Sequence, residues 1–106
     1  MKHVAHLVEL LDPRRRREME ESMKRAVVTS FAEDKRRAEK SMVKPLLPTT
    51  LEVQRRTRIV YDWFVVMRNE LGYSTQHALD LLPSALRATL DDTQWEPPPA
   101  VRSWKG

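Results

Sequence analysis

Residues 49–90 read TTLEVQRRTRIVYDWFVVMRNELGYSTQHALDLLPSALRATL, and this run decides the fold. Thr49, followed three residues later by Glu52, has the form of a capping box, in which each side chain reaches the other's backbone N–H. Val53, Val60, Trp63, Phe64, Met67 and Leu71 then recur at helical spacing on one face, widened by Ile59 and Val66. Arg55, Arg56, Arg58, Asp62, Arg68 and Glu70 fall mostly off that face. Gly72 supplies the left-handed residue that often follows a helix. After a brief loop, Ser74 or Thr75 is set to cap a short helix through Leu82. Pro83 then suits the first turn of a last helix carrying Leu86 and Leu90.

Upstream of this run the pattern is helical again. Val4, Leu7, Val8 and Leu11 fall at i, i+3, i+4 and i+7, which predicts a short helix with one apolar face. Asp12-Pro13 reads as a cap followed by proline at the first helical position. From Arg14 to about Lys44, Met19, Met23, Ala26, Val27, Phe31, Ala38 and Met42 keep to one stripe. Pro45 and Pro48 are expected to end it, because a proline ring pushes the preceding residue out of the α region. Ala38 alone carries the stripe between Phe31 and Met42, so this helix is expected to project from the core for part of its length or to pack on a second copy. Downstream of Asp92 the character changes. Trp95, the prolines Pro97 to Pro99 and Trp104 predict an extended tail, polyproline-like and ordered by docking.

The expected architecture is therefore all-α: a basic helical arm over 1–44, a linker over 45–49, a helical bundle over 50–92 and an extended Pro/Trp tail over 93–106. Composition agrees. Hydrophobic residues make up 41% and charged residues 32% of the 106, with only two glycines, a balance that suits helices with one apolar stripe. A chain this short buries only about 65% of its unfolded surface, so its core is modest and partner contacts matter more to it. The absence of cysteine excludes a disulfide framework and any thiolate zinc site, and it fits a reducing compartment. The longest apolar run, Ile59 to Met67, is broken by Asp62 and falls short of a membrane span. With no signal-peptide pattern at the N-terminus, the expected location is intracellular, cytoplasmic or nuclear.

Net charge is +4 with pI near 9.8, and the excess is uneven. Residues 1–48 hold twelve Lys/Arg against eight Asp/Glu, whereas residues 49–106 hold seven of each. A basic half suits nucleic acid, an acidic protein or an anionic surface without choosing among them.

Thr50-Leu51 opening a helix, an aromatic cluster two to four turns on, Gly72 at its end and then Leu81-Leu82-Pro83-Ser84-Ala85-Leu86-Arg87-Ala88-Thr89-Leu90 together resemble the core-binding domain of tyrosine recombinases. In that family a small helical bundle precedes the catalytic domain and grips one face of the DNA. The resemblance covers Thr50 to Leu90. Gln54 stands where an aromatic is common, the loop from Gly72 to Leu81 lacks the usual spacing, and no catalytic domain follows. What the resemblance implies is DNA binding without cleavage.

Several groups compete as sites. Arg14 to Arg17 form the densest basic cluster, and Lys35, Arg36 and Arg37 with Lys40 repeat the theme. Each phosphate they neutralised would add about one unit to the salt slope. Glu18, Glu20, Glu21, Glu33 and Glu39 interleave with them, as on an ordinary solvated helix face. Arg55, Arg56 and Arg58 have Glu52 as their only nearby acid in sequence, and Arg87 joins them if the two helices cross. That makes these four the cleaner phosphate-facing set. Trp63 and Phe64 lie on the apolar stripe and read as core rather than as a stacking platform, with Tyr61 beside it. For a protein partner, the candidates are Met19, Met23, Val27 and Phe31 on the adaptable methionine stripe and Trp95 with Trp104 in the tail.

His3 and His6 have the i, i+3 spacing of a metal pair, with Glu9 as their only possible extension, and a surface histidine pair is the commoner explanation. His77 has no companion acid or nucleophile in sequence. There is no phosphate-binding glycine loop, nucleophile elbow or zinc-type His/Glu spacing, so no enzyme, metal or cofactor is expected. The function expected is a non-enzymatic DNA-binding module. The alternative is a helical interaction or assembly module, homo-oligomeric or bound to a protein partner.

Overall fold

A computed structural model describes residues 12–44 and 47–98. Among these the chain forms three helices and no strand: α1 (Pro13–Lys40), α2 (Thr50–Asn69) and α3 (Thr75–Leu90). The all-α expectation holds. None of the three is long and apolar enough to cross a membrane.

The helix starts follow the capping chemistry of the sequence. Asp12 is extended and its carboxylate accepts from the backbone N–H groups of Arg14 and Arg15, with Pro13 at the first helical position. Thr49 Oγ1 accepts from the Glu52 N–H at 3.2 Å, and Ser74 Oγ accepts from the His77 N–H at 3.2 Å. The reciprocal half of the capping box is missing. Glu52 turns its carboxylate to Arg55 and Arg56 instead, because two guanidinium donors hold it more strongly than one neutral N–H.

The helix ends differ from expectation. α1 stops at Lys40, before the prolines. Met42 adopts a left-handed φ of 56°, its N–H donates to the Glu39 carbonyl, and the Val43 N–H donates to the Ala38 carbonyl. That is a Schellman closure built without glycine. Met42 is 94% exposed, so the expected stripe has nothing to pack on there and helix continuation gains nothing. Gly72 does take the left-handed conformation at φ 75°, and the Tyr73 N–H beyond it donates to the Met67 carbonyl. The two short helices expected around Pro83 are one helix. Pro83 lies inside α3 on its exposed side, while Ala78, Leu79, Leu82, Ala85 and Leu86 share the buried side. Continuous burial of that row outweighs the one backbone bond a proline forgoes.

The core draws on all three helices. Met19, Met23, Ala26 and Val27 of α1 pack with Val60, Phe64 and Met67 of α2, with the buried row of α3, and with Tyr73 from the loop between α2 and α3. Burying Phe64, Met67, Leu82 and Leu86 contributes about 1.5–3 kcal/mol each. The first helix is thus one wall of the bundle rather than a separate arm, and the expected 45–49 boundary does not divide two packing units. Met19, Met23 and Val27, expected as a partner-binding stripe, are buried in their own chain's core.

α2 runs back along α1, and α3 runs forward again. Arg56, near the start of α2, meets Ser30 and Asp34, and Arg87, near the end of α3, meets Glu33. The end of α1, the start of α2 and the end of α3 therefore converge at one end of the bundle. Beyond α3, Trp95 is half-buried with its ring edge-on to Trp63, centroids 4.9 Å apart, and the Tyr73 hydroxyl donates to the Pro98 carbonyl. The start of the tail docks on its own domain, so Trp95 is engaged internally rather than offered to a partner. Trp104 lies outside the described residues, as do His3 and His6.

Candidate nucleic-acid interface and an apolar groove

The four arginines expected to form one outward phosphate-binding surface do not share a surface. Arg56 is 5% exposed. It sits four residues before Val60 and eight before Phe64, in the row that faces the core, where a polar head needs partners. Those partners converge from two helices. Its guanidinium lies 2.8 Å from Asp34, 2.8 Å from Glu52 and 2.9 Å from Ser30 Oγ, and it caps the Phe31 ring at 4.0 Å. Ser30 in turn donates to the Val27 carbonyl, so this buried hydroxyl is satisfied on both sides. Each of the three guanidinium nitrogens of Arg56 has a partner.

Arg87 completes the network. It lies 3.0 Å from Glu33, 3.0 Å from Asp34 and 3.4 Å from Asp91, and it donates to the Ser30 carbonyl. Asp34 thereby bridges the buried Arg56 and the half-buried Arg87, one oxygen to each. Burial alone would lower the Arg87 pKa, yet the bond to Glu33 and the charge of Asp34 more than offset it and hold the group above its ordinary value. The hydrogen bond from Arg56 holds the Glu52 carboxyl below the usual range against some desolvation, and the bond from Arg37 does the same for Asp91.

Of the remaining predicted arginines, Arg55 is exposed but bridged to Glu52 at 2.9 Å. Arg37 is bridged to Asp91 at 3.2 Å. Arg58 is exposed and touches Asp62 only at 4.0 Å. Arg56 and Arg87 are therefore removed from the phosphate-binding set, because their charge is matched inside their own chain. Arg14, Arg15, Arg16, Arg17, Lys35 and Arg36 are all exposed, and among the described residues their side chains make no ion pair. Arg36 and Lys40, one turn apart, line a shallow depression of 260 Å³ with Glu33, Arg37 and Arg87.

A larger feature lies between α1 and α2. A groove of 780 Å³ has Met19, Met23, Val27 and Phe64 along its floor and Phe31 and Pro48 toward one end. Its rim carries Val28, Val53 and Tyr61, which are 61%, 37% and 49% exposed. Arg16, Arg17, Glu20, Glu21 and Lys24 form a charged lip on the α1 side. Phe31, expected to face a partner, is half-buried here beneath Arg56.

No family model, curated protein or solved structure matches this chain.

Sequence reading missed Ser30, Glu33 and Asp34 as the partners of Arg56 and Arg87. A signal was present. Ser30 lies three residues after Val27 on the apolar row, and a polar residue in such a row calls for a polar partner from across the core. Of the other side groups, His77 packs against the Tyr73 ring with centroids 4.6 Å apart. No group of three metal-ligating side chains occurs among the described residues.

Proposed function

We propose that this chain is a non-enzymatic DNA-binding module whose phosphate contacts come from α1. The observation that carries the reading is a sorting of charge. Glu33, Asp34, Glu52 and Asp91 are matched by Arg37, Arg55, Arg56 and Arg87 at one end of the bundle. What α1 keeps exposed and unmatched is then predominantly basic. Arg14, Arg15, Arg16, Arg17, Lys24, Arg25, Lys35, Arg36 and Lys40 stand against Glu18, Glu20, Glu21 and Glu39. At 1.5 Å per residue α1 is a rod about 42 Å long, so its exposed side spans many phosphates of a duplex. Contacts of this kind fix orientation without reading sequence.

Fluorescence anisotropy of the chain against a short labelled duplex tests it, at roughly 50 and 200 mM salt. The expected result is affinity that falls steeply between the two. A flat or absent signal removes the reading.

A second reading, a helical assembly module, has the exposed apolar rim of Val28, Val53 and Tyr61 in its favour. It can no longer draw on Met19, Met23 and Val27, which are engaged in the core. Light scattering at two protein concentrations decides it, and a monomer at both ends it.

A further inference from the structure

We infer that α1 takes duplex rather than single-stranded DNA, and that it lies along the duplex with three pairs of cations on successive phosphate backbones. This deepens the DNA-binding reading and rests on it. The pairs are Arg14 with Arg17, Lys24 with Arg25, and Lys35 with Arg36. Arg14, Arg25 and Arg36 recur every eleven residues, as do Lys24 and Lys35. Eleven residues make three turns plus about 20°, so each recurrence stays on one side of the helix and advances about 16 Å.

That side faces away from the bundle. Met19, Met23, Ala26, Val27 and Ser30 are buried on the opposite side of α1. All six cations are exposed, and among the described residues none of them forms an ion pair. Arg25 donates to the Ser22 hydroxyl at 3.0 Å, a neutral partner that leaves its charge unmatched.

The interval matches a duplex. One turn of B-DNA rises about 34 Å and carries two strands, so a rod laid along it crosses a phosphate row about every 17 Å on average. From Arg14 to Arg36 the helix advances about 33 Å, one such turn. The outer pairs therefore meet one strand a turn apart, and the middle pair meets the complementary strand between them. Unequal grooves shift that middle row, an offset that two adjacent long side chains cover. Glu18, Glu21 and Glu39 share this side and reduce its charge from +6 to +3, so placement matters more than total charge. Between the second and third pairs, Val28, Thr29 and Ala32 are exposed and uncharged. A single strand offers no fixed rows, and this side of α1 has no aromatic ring on which its bases could stack.

Moving one pair tests the interval at constant charge. Lys24→Ala and Arg25→Ala are combined with Val28→Lys and Ala32→Arg, both exposed positions on the same side. The pair thereby shifts by about 8 Å, half an interval. Fluorescence anisotropy is measured on a labelled duplex of about one and a half turns, with circular dichroism confirming that the helices persist. With six phosphates neutralised, the unaltered chain should lose about 10³ in affinity between roughly 50 and 200 mM salt. The relocated variant should lose only about 10², the same as Lys24→Ala with Arg25→Ala alone. A single strand of equal length should bind the unaltered chain roughly tenfold more weakly than the duplex. If the unaltered chain binds and the relocated variant matches it, the inference is overturned and the DNA-binding reading stands. A single strand that binds as tightly as the duplex also overturns it. A chain that binds no duplex removes the reading and the inference together.

Discussion

Arginines at the two ends of α1 have opposite fates. At its C-terminal end, Arg56 and Arg87 reach in from α2 and α3 and are held by Ser30, Glu33 and Asp34. At its N-terminal end, Arg14 to Arg17 are exposed and unmatched. The residue type is the same, and register makes the difference. A lone arginine in the core-facing row of a helix is taken inside when carboxylates converge on it from neighbouring helices. Four consecutive residues spread over roughly 300° of a helix circumference. They cannot share one internal partner, so such a run stays outside.

The contrast can be broken by substitution. Arg56→Ala should have the largest effect, a loss of about 2–4 kcal/mol in urea denaturation, because Asp34 and Glu52 would lose their shared partner in a partly buried setting. A loss below about 0.5 kcal/mol would mean that the cluster is ornamental. Arg87→Lys tests geometry rather than charge. A single ammonium cannot reach Glu33, Asp34, Asp91 and the Ser30 carbonyl from one planar fork, so a cost of about 1–2 kcal/mol is expected from thermal unfolding.

Acid should loosen the same end by a smaller amount. Glu52 and Asp91 have depressed pKa values in the folded chain, so their contribution is complete above the unfolded carboxylate range and is lost as pH falls through the folded values. The melting temperature is therefore expected to drop on going from about pH 5 to pH 3. Glu52→Gln should flatten that dependence, which circular dichroism melts across the range would register.

The smallest effect on stability belongs to the other end. Replacing Arg14 to Arg17 together by alanine should change unfolding free energy by less than about 0.5 kcal/mol in total, alanine being the better helix former at exposed positions. On DNA the same variant should lose about two or three units of salt slope, since only part of a run spread around a helix faces one duplex. A stability loss comparable to that of Arg56→Ala would erase the distinction between the two ends.

Much of the local structure was legible in the residues themselves. Asp12-Pro13, Thr49, Ser74 and Gly72 mark helix boundaries because caps and left-handed residues act through atoms two to five positions away. The rows through Met19, Met23 and Val27, and through Val60, Phe64 and Met67, were equally readable, since burial repeats with the helix period. Other features were not. α1 ends through an exposed Met42 that carries no propensity signal for that role. Pro83 is tolerated only because the row from Ala78 to Leu86 is buried continuously across it. The capping box lost half its bonds to a competition that Thr49 and Glu52 could not reveal by themselves.

By itself, the sequence determined the helices: where each begins, which face of it is apolar, and that its surplus positive charge lies in the first half. Tertiary structure alone decided which charges remain available. Pairing Arg56 with Asp34, or Arg87 with Glu33, depends on how three helices lie against one another, and residues far apart in the chain carry no record of that distance. Local order follows from atoms a few bonds away, whereas the fate of a charge depends on every element that reaches it through space.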